Sequence, residues 1–182
     1  MIIAYRGVNN AASIVELIAS IDQRVVGIDL SFVVSSFHIQ LAVYKALLNE
    51  SQGRMKTKSI QSEVLYQLSS STKISEAILQ YSLKSVSTEI CFIYVPSPVS
   101  TDAISKSLSD DTVLTNIEFK KEIGKLAVDG TEIDSTEISS AIILTAEKSA
   151  TIVKYFKITP LELEVSGLEE SVSTRLAVKD NV

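Results

Sequence analysis

A chain of 182 residues with 46% apolar and 21% charged side chains has the balance of a folded domain with one core, even at a net charge of −5, and this excludes disordered, collagen-like and disulfide-scaffold classes. No apolar run approaches the roughly 20 residues of a membrane span, and the start MIIAYRGVNN lacks a basic leader and a long apolar stretch, so export is not expected. A lone cysteine, Cys91, allows no intrachain disulfide and fits a reducing, cytoplasmic setting.

In chain order, Met1 to Tyr5 reads as a first strand. Ala11 to Ser20 then places Ile14, Val15, Leu17 and Ile18 on one side of a helix that Asn9 or Asn10 caps. Arg24 to Val34 is extended and broken near Asp29. Ser36 to Leu48 carries Phe37, Leu41, Tyr44 and Leu48 at spacings of four, three and four, which predicts a helix buried along that stripe. Ser59 to Leu68 and a segment with Ile74, Ala77, Ile78 and Tyr81 read as two short helices joined at the hydroxyl-rich SSST.

Glu89 to Val95 is β-branched and aromatic, holds Cys91, and is stopped by Pro96 and Pro98, so it reads as a central strand with a buried thiol. Ser97 to Asp111 is polar and is expected to be a mobile loop with a short helix near Asp102 to Leu108. The Asp129-Gly130 dipeptide predicts a hairpin between Glu122 to Val128 and Thr131 to Asp134. A helix over Thr136 to Lys148 and a strand over Thr151 to Ile158 follow. For the last helix, Ser166-Gly167-Leu168-Glu169 has a capping-box pattern and competes with Thr159-Pro160-Leu161-Glu162; the later start is preferred, with Leu168, Val172 and Leu176 on one stripe. The sum is one α+β domain over 1–182, with a mixed or mostly antiparallel sheet of about four to five strands packed with helices.

The groups that carry chemistry are sparse. Glycine-rich phosphate loops, a GxSxG elbow, a CxxC pair and an HExxH helix are all missing. One histidine, His38, cannot build a multi-histidine metal site, and pairing it with Cys91 as a nucleophile needs a residue from an apolar strand; a buried or helix-capping His38 is the simpler reading. Asp110-Asp111, Asp129 and Asp134 lie in polar turns where capping and solvation account for them. The sequence therefore argues against an enzyme and implies no cofactor or metal.

Charge is unevenly placed. Lys45 to Lys84 carries +3 and the rest of the chain −8, a basic strip on an acidic body that favours an oriented contact with a polyanion. Within GRMKTKSIQSEVLYQLS, Arg54, Lys56 and Lys58 alternate along a linker, with Lys45 and Lys73 on the flanking helices. Cations so spaced meet successive phosphates without reading bases. Tyr44, Tyr66 and Tyr81 are the nearest rings for base stacking, but helical spacing gives Tyr44 and Tyr81 to the core first. Leu168, Val172 and Leu176 face either the core or a partner, and Val178 and Val182 near a polar terminus are candidate partner anchors.

The order of these segments resembles a known family. HIQLAVYKALLNESQGRMKTKSIQSEVLYQLSSSTKISEAILQYSL, His38 to Leu83, is similar to the CGI-type small subunit of the KEOPS complex, the TPRKB family, through an Ala-rich helix, the basic Met55-Lys56-Thr57-Lys58-Ser59 linker, Glu63, Leu68-Ser69, Ile74 and Ala77. The likeness extends more loosely to Val8-Asn9-Asn10-Ala11 and to Leu168–Val182. Two positions depart from the pattern: Ser82 stands where glycine is usual, so that helix ends differently or holds a left-handed serine, and Leu30 replaces a common proline.

The resemblance implies a non-catalytic subunit of the machinery that makes threonylcarbamoyladenosine in tRNA. It implies that the chain binds and stimulates a PRPK-type atypical kinase subunit, helps to recruit tRNA, is linked indirectly to the threonylcarbamoyltransferase subunit, and sits in the cytoplasm, or also the nucleus if eukaryotic.

Overall fold

Branched and aromatic residues build β1 (Ile2–Arg6), β2 (Val25–Asp29), β3 (Glu89–Tyr94) and a short β4 (Thr131–Ile133), with side chains alternating between the two faces of the pleat. A computed structural model, which describes residues 1–97, 119–133 and 142–179, joins them in one antiparallel sheet of order β2-β3-β1-β4. The α+β expectation holds. Ala4 and Ile28 flank Cys91 from the two neighbouring strands, so the thiol lies in the middle of the sheet. It is fully buried, and burial pushes it far above the ordinary thiol range, which makes it a packing group.

The helices are α1 (Ala11–Leu17), α2 (Ser36–Ser51), α3 (Ile60–Gln67), α4 (Ile74–Tyr81), α5 (Ala146–Phe156) and α6 (Pro160–Val178), with a helical segment over 119–124. They cover both faces of the sheet. Val26, Ile28 and Ile93 pack with Ile39, Val64, Leu68 and Tyr81. On the opposite face Ile3, Val25, Ile90 and Phe92 meet Ile14, Phe119 and Ile123. A third cluster joins Val34 to Ile152, Phe156, Val172 and Leu176.

Several expectations are corrected. Thr151 to Ile158 belongs largely to α5, not to a strand: Ile152 and Phe156 share the buried face, and their spacing of four satisfies the helical period as well as alternation. Residues 142–145 precede α5, whose cap is the Thr145 side chain accepting from Lys148 N, so Lys148 begins a helix where it was expected to end one. Residues 122–124 are helical, and β4 pairs with β1, so the Asp129-Gly130 hairpin does not form. Asn10 stands at the cap position of α1, but its side chain pins that turn instead, donating to Ala127 O and accepting from Asp129 N.

The last helix starts early. Thr159 and Glu162 form the reciprocal capping box, and Pro160 takes the first position, where a missing N–H costs nothing. The later start survives as a kink: Gly167 interrupts α6 at φ 72° and ψ 177°. Ser82 ends α4 in extended conformation at φ −64° and ψ 152°, so no left-handed serine is needed. Leu30, itself buried, opens a turn that the Asp29 carboxylate fixes by accepting from Ser31 N. The predicted short helix at Asp102 to Leu108, most of the 97–111 loop, and 134–141 lie outside the described residues.

Candidate nucleic-acid and partner interfaces

The basic linker is a strap between α2 and α3, and both of its ends are fixed by local rules. Gly53 leaves α2 at φ +62°. Gly53 N donates to Glu50 O and Arg54 N to Asn49 O, the paired 5→2 and 6→1 bonds of a Schellman end, which glycine adopts without a Cβ penalty. At the far end Ser59 caps α3 by accepting from Ser62 N at 3.2 Å. Between them Met55 packs on the core while Arg54, Lys56 and Lys58 are exposed. None of the three side chains pairs with a carboxylate among the described residues.

The fixed point beneath the strap is Glu63, fully buried in the first turn of α3. Its Oε2 accepts from the Lys56 and Thr57 amides and the Thr57 hydroxyl, each at 3.0 Å. Its Oε1 accepts from Asn49 Nδ2 at 2.9 Å and Gln67 Nε2 at 3.0 Å. A buried carboxylate needs such donors. Here they come from α2, the strap and α3 together.

The other two proposed cations are placed differently. Lys45 points along α2 toward α6 and donates to Leu176 O, capping a carbonyl near the helix end, where positive charge is favoured. Lys73 precedes α4 and pairs with Glu76 at 2.8 Å on the open surface, which raises the ammonium and lowers the carboxyl from their ordinary ranges. The structure thus groups Arg54, Lys56 and Lys58 on one strap, while Lys45 and Lys73 are engaged elsewhere.

The apolar candidates separate as well. Val172 and Leu176 are fully buried and Leu168 packs half-buried beside them, so the first two are core and not exposed anchors. Val178 is exposed, and Val182 lies outside the described residues. Of the stripe read as the buried side of α2, Leu41 packs half-buried on the third cluster, while Phe37 is 49% exposed, Tyr44 64% and Leu48 40%. The buried side is His38, Ile39, Ala42 and Ala46, where two alanines let α2 pack closely on α3. Beyond it, Leu161 and Val165 on the first half of α6 are 70% and 79% exposed. Exposed apolar side chains that share one helix face, as Phe37, Tyr44 and Leu48 do, mark a contact surface more often than scattered ones do. Tyr81 is in the core as expected, and Tyr44 is not.

A groove of about 800 Å³ runs beside the strap, lined by Ile18, Val25, Gly27, Met55, Gln61 and Leu83 among others. A Cβ at Gly27 would stand 2.4 Å from Ile18 Cδ1 and 2.7 Å from Leu83 Cδ1, so a larger residue there would have to push aside the two side-chain ends that close over β2. Among the described residues no group of three or more His, Cys, Asp or Glu side chains is arranged to hold a metal ion, and no helix is long and apolar enough to cross a membrane.

Comparison with known proteins gives a consistent answer. The EKC/KEOPS complex subunit TPRKB of Danio rerio is 28% identical over 176 residues, 97% of this chain and 88% of that protein. The EKC/KEOPS complex subunit CGI121 of Yarrowia lipolytica is 26% identical over 127 residues, 67% of this chain and 75% of its own length. That of Kluyveromyces lactis is 32% identical over 107 residues, 54% of this chain and 67% of its own. The model of the family described as kinase binding protein CGI-121 matches residues 5–180, and the chain belongs to that family.

Proposed function

We propose that this chain is a non-catalytic subunit of an EKC/KEOPS complex, acting in the cytoplasm. In this reading it binds and stimulates the kinase-like subunit and helps to bring tRNA to the machinery for N6-threonylcarbamoyladenosine. The names of its relatives and family support the complex and the kinase partner. The observation that carries the tRNA contact is the strap: Arg54, Lys56 and Lys58 are exposed on a segment whose backbone is fixed, and no carboxylate among the described residues neutralises them. Such cations bind phosphates, and each adds somewhat less than one unit to the salt slope.

The kinase contact is assigned to the outward stripe of α2, Phe37, Tyr44 and Leu48, with Val178 beside the end of α6. Aromatic anchors on an otherwise polar surface are the usual energetic centre of an interface. Lys179 is buried, its amine 3.2 Å over the Tyr66 ring, so a tail truncation that spares the fold begins at Asp180. The rival reading, a kinase-regulating module that never touches RNA, draws on the same apolar stripe. Charge reversal separates them: Lys56→Glu with Lys58→Glu should weaken binding of a tRNA transcript at least tenfold, the equivalent of about 1.4 kcal/mol, with kinase affinity unchanged by calorimetry. Unchanged tRNA affinity would decide for the rival.

A further inference from the structure

We infer that Glu63 is a positioning residue that holds the strap in register for RNA phosphates while leaving all three of its cations unpaired; the inference rests on the tRNA reading above. A basic loop is commonly held by an ion pair, which would occupy one of its cations. Here the buried carboxylate takes the Lys56 and Thr57 amides and the Thr57 hydroxyl on one oxygen and the Asn49 and Gln67 side chains on the other. Its charge is answered by N–H and O–H dipoles, not by Arg54, Lys56 or Lys58. Two adjacent backbone amides drawn to one oxygen also fix the alternation that puts Met55 inward and the cations outward. Ordering such a segment in advance removes that part of the cost from binding.

The sign of the effect makes this testable. A glutamate beneath a basic strap, acting by charge alone, opposes a polyanion, so its removal should tighten RNA binding. Acting by position, its removal should loosen it. Glu63→Gln keeps the shape and the cations, but an amide offers one acceptor oxygen and brings an NH₂ against donors. The experiment uses the full chain, a fluorescently labelled tRNA transcript followed by anisotropy across several salt concentrations, and amide hydrogen exchange at Lys56 and Thr57.

For Glu63→Gln the expected result is affinity lower by roughly five- to tenfold despite the lost negative charge, with faster exchange at both amides. The slope against salt should stay unchanged, because the number of phosphates met is the same. Equal or tighter binding with faster exchange would overturn the inference. Should Glu63→Gln lose its cooperative unfolding transition, Thr57→Val decides. Weaker binding with faster Lys56 exchange supports the inference, and wild-type affinity overturns it. Lys56→Glu with Lys58→Glu, run in parallel, distinguishes the two failures, since wild-type affinity there removes the RNA reading itself.

Discussion

His38 shows how one buried group ties stability to pH. Its Nε2 donates to Leu68 O at 2.8 Å, so its Nδ1 is the acceptor for Val34 N at 3.4 Å. A second proton would have to sit on Nδ1, facing that donor. Full burial, chiefly, pushes the imidazole down to about 4, and the bond to Leu68 only partly offsets this. The unfolded chain takes up this proton near pH 6.5 and the folded one near 4, so folded stability is fully present above 6.5 and declines through that window as pH falls. The whole drop is about 3 kcal/mol. Urea unfolding between pH 6.5 and 5 should show the decline. His38→Asn should be less stable at pH 7 but flatter over the window; parallel curves for the two proteins would contradict the assignment.

The lone Cys91 was readable as buried from its apolar run, and the lone His38 as buried or helix-capping. Glu63 was not, because its donors Asn49, Lys56, Thr57 and Gln67 converge only after α2 and α3 pack. The burial of Lys179 over Tyr66 was hidden for the same reason.

Among the elements, the kink in α6 makes the cleanest prediction. Gly167 adopts φ 72° and ψ 177°, a region open to glycine almost alone, and nothing lies within 4 Å of where a Cβ would stand. Any cost of Gly167→Ala is therefore backbone strain, of order 1–3 kcal/mol. Gly124→Ala, on the exposed helical segment with the same open surroundings, should be neutral or mildly stabilising. Equal Tm values for the two variants would contradict the reading of the kink.

The outward stripe of α2 gives the complementary case. Tyr44→Asp with Leu48→Asp touches exposed positions and should shift stability by about 0.5 kcal/mol or less per site, yet weaken kinase binding by about 2 kcal/mol or more. Wild-type calorimetry would move the interface elsewhere. Both faces of α2 are apolar, so periodicity gave a helix but not its orientation; the burial of Ala42 and Ala46 in the core cluster settles it. Thr151 to Ile158 misled in the same way, since a spacing of four fits two periods.

For the molecule as a whole, the class of fold and most helices were legible because their patterns are local. The order β2-β3-β1-β4 was not, for β4 joins β1 across more than a hundred residues, and such pairing is set by packing on both faces of the sheet. The same holds for function: the alternation of Arg54, Lys56 and Lys58 is visible in the sequence, whereas the separation of Lys45 and Lys73 from them is a matter of tertiary partners. A strip of +3 on a body of −8 orients a polyanion weakly at long range, and screening over about 8 Å at physiological salt confines the effect to contact.

The proposed function rests on two surfaces, the exposed cations of the strap for RNA and the apolar stripe of α2 for the kinase. The direct test is a ternary capture in which the immobilised kinase-like subunit binds the chain and labelled tRNA is read as the second signal. The account predicts that Lys56→Glu with Lys58→Glu leaves the chain on the kinase in full while the tRNA carried by it falls at least tenfold. tRNA retained at the wild-type level by that variant would contradict it.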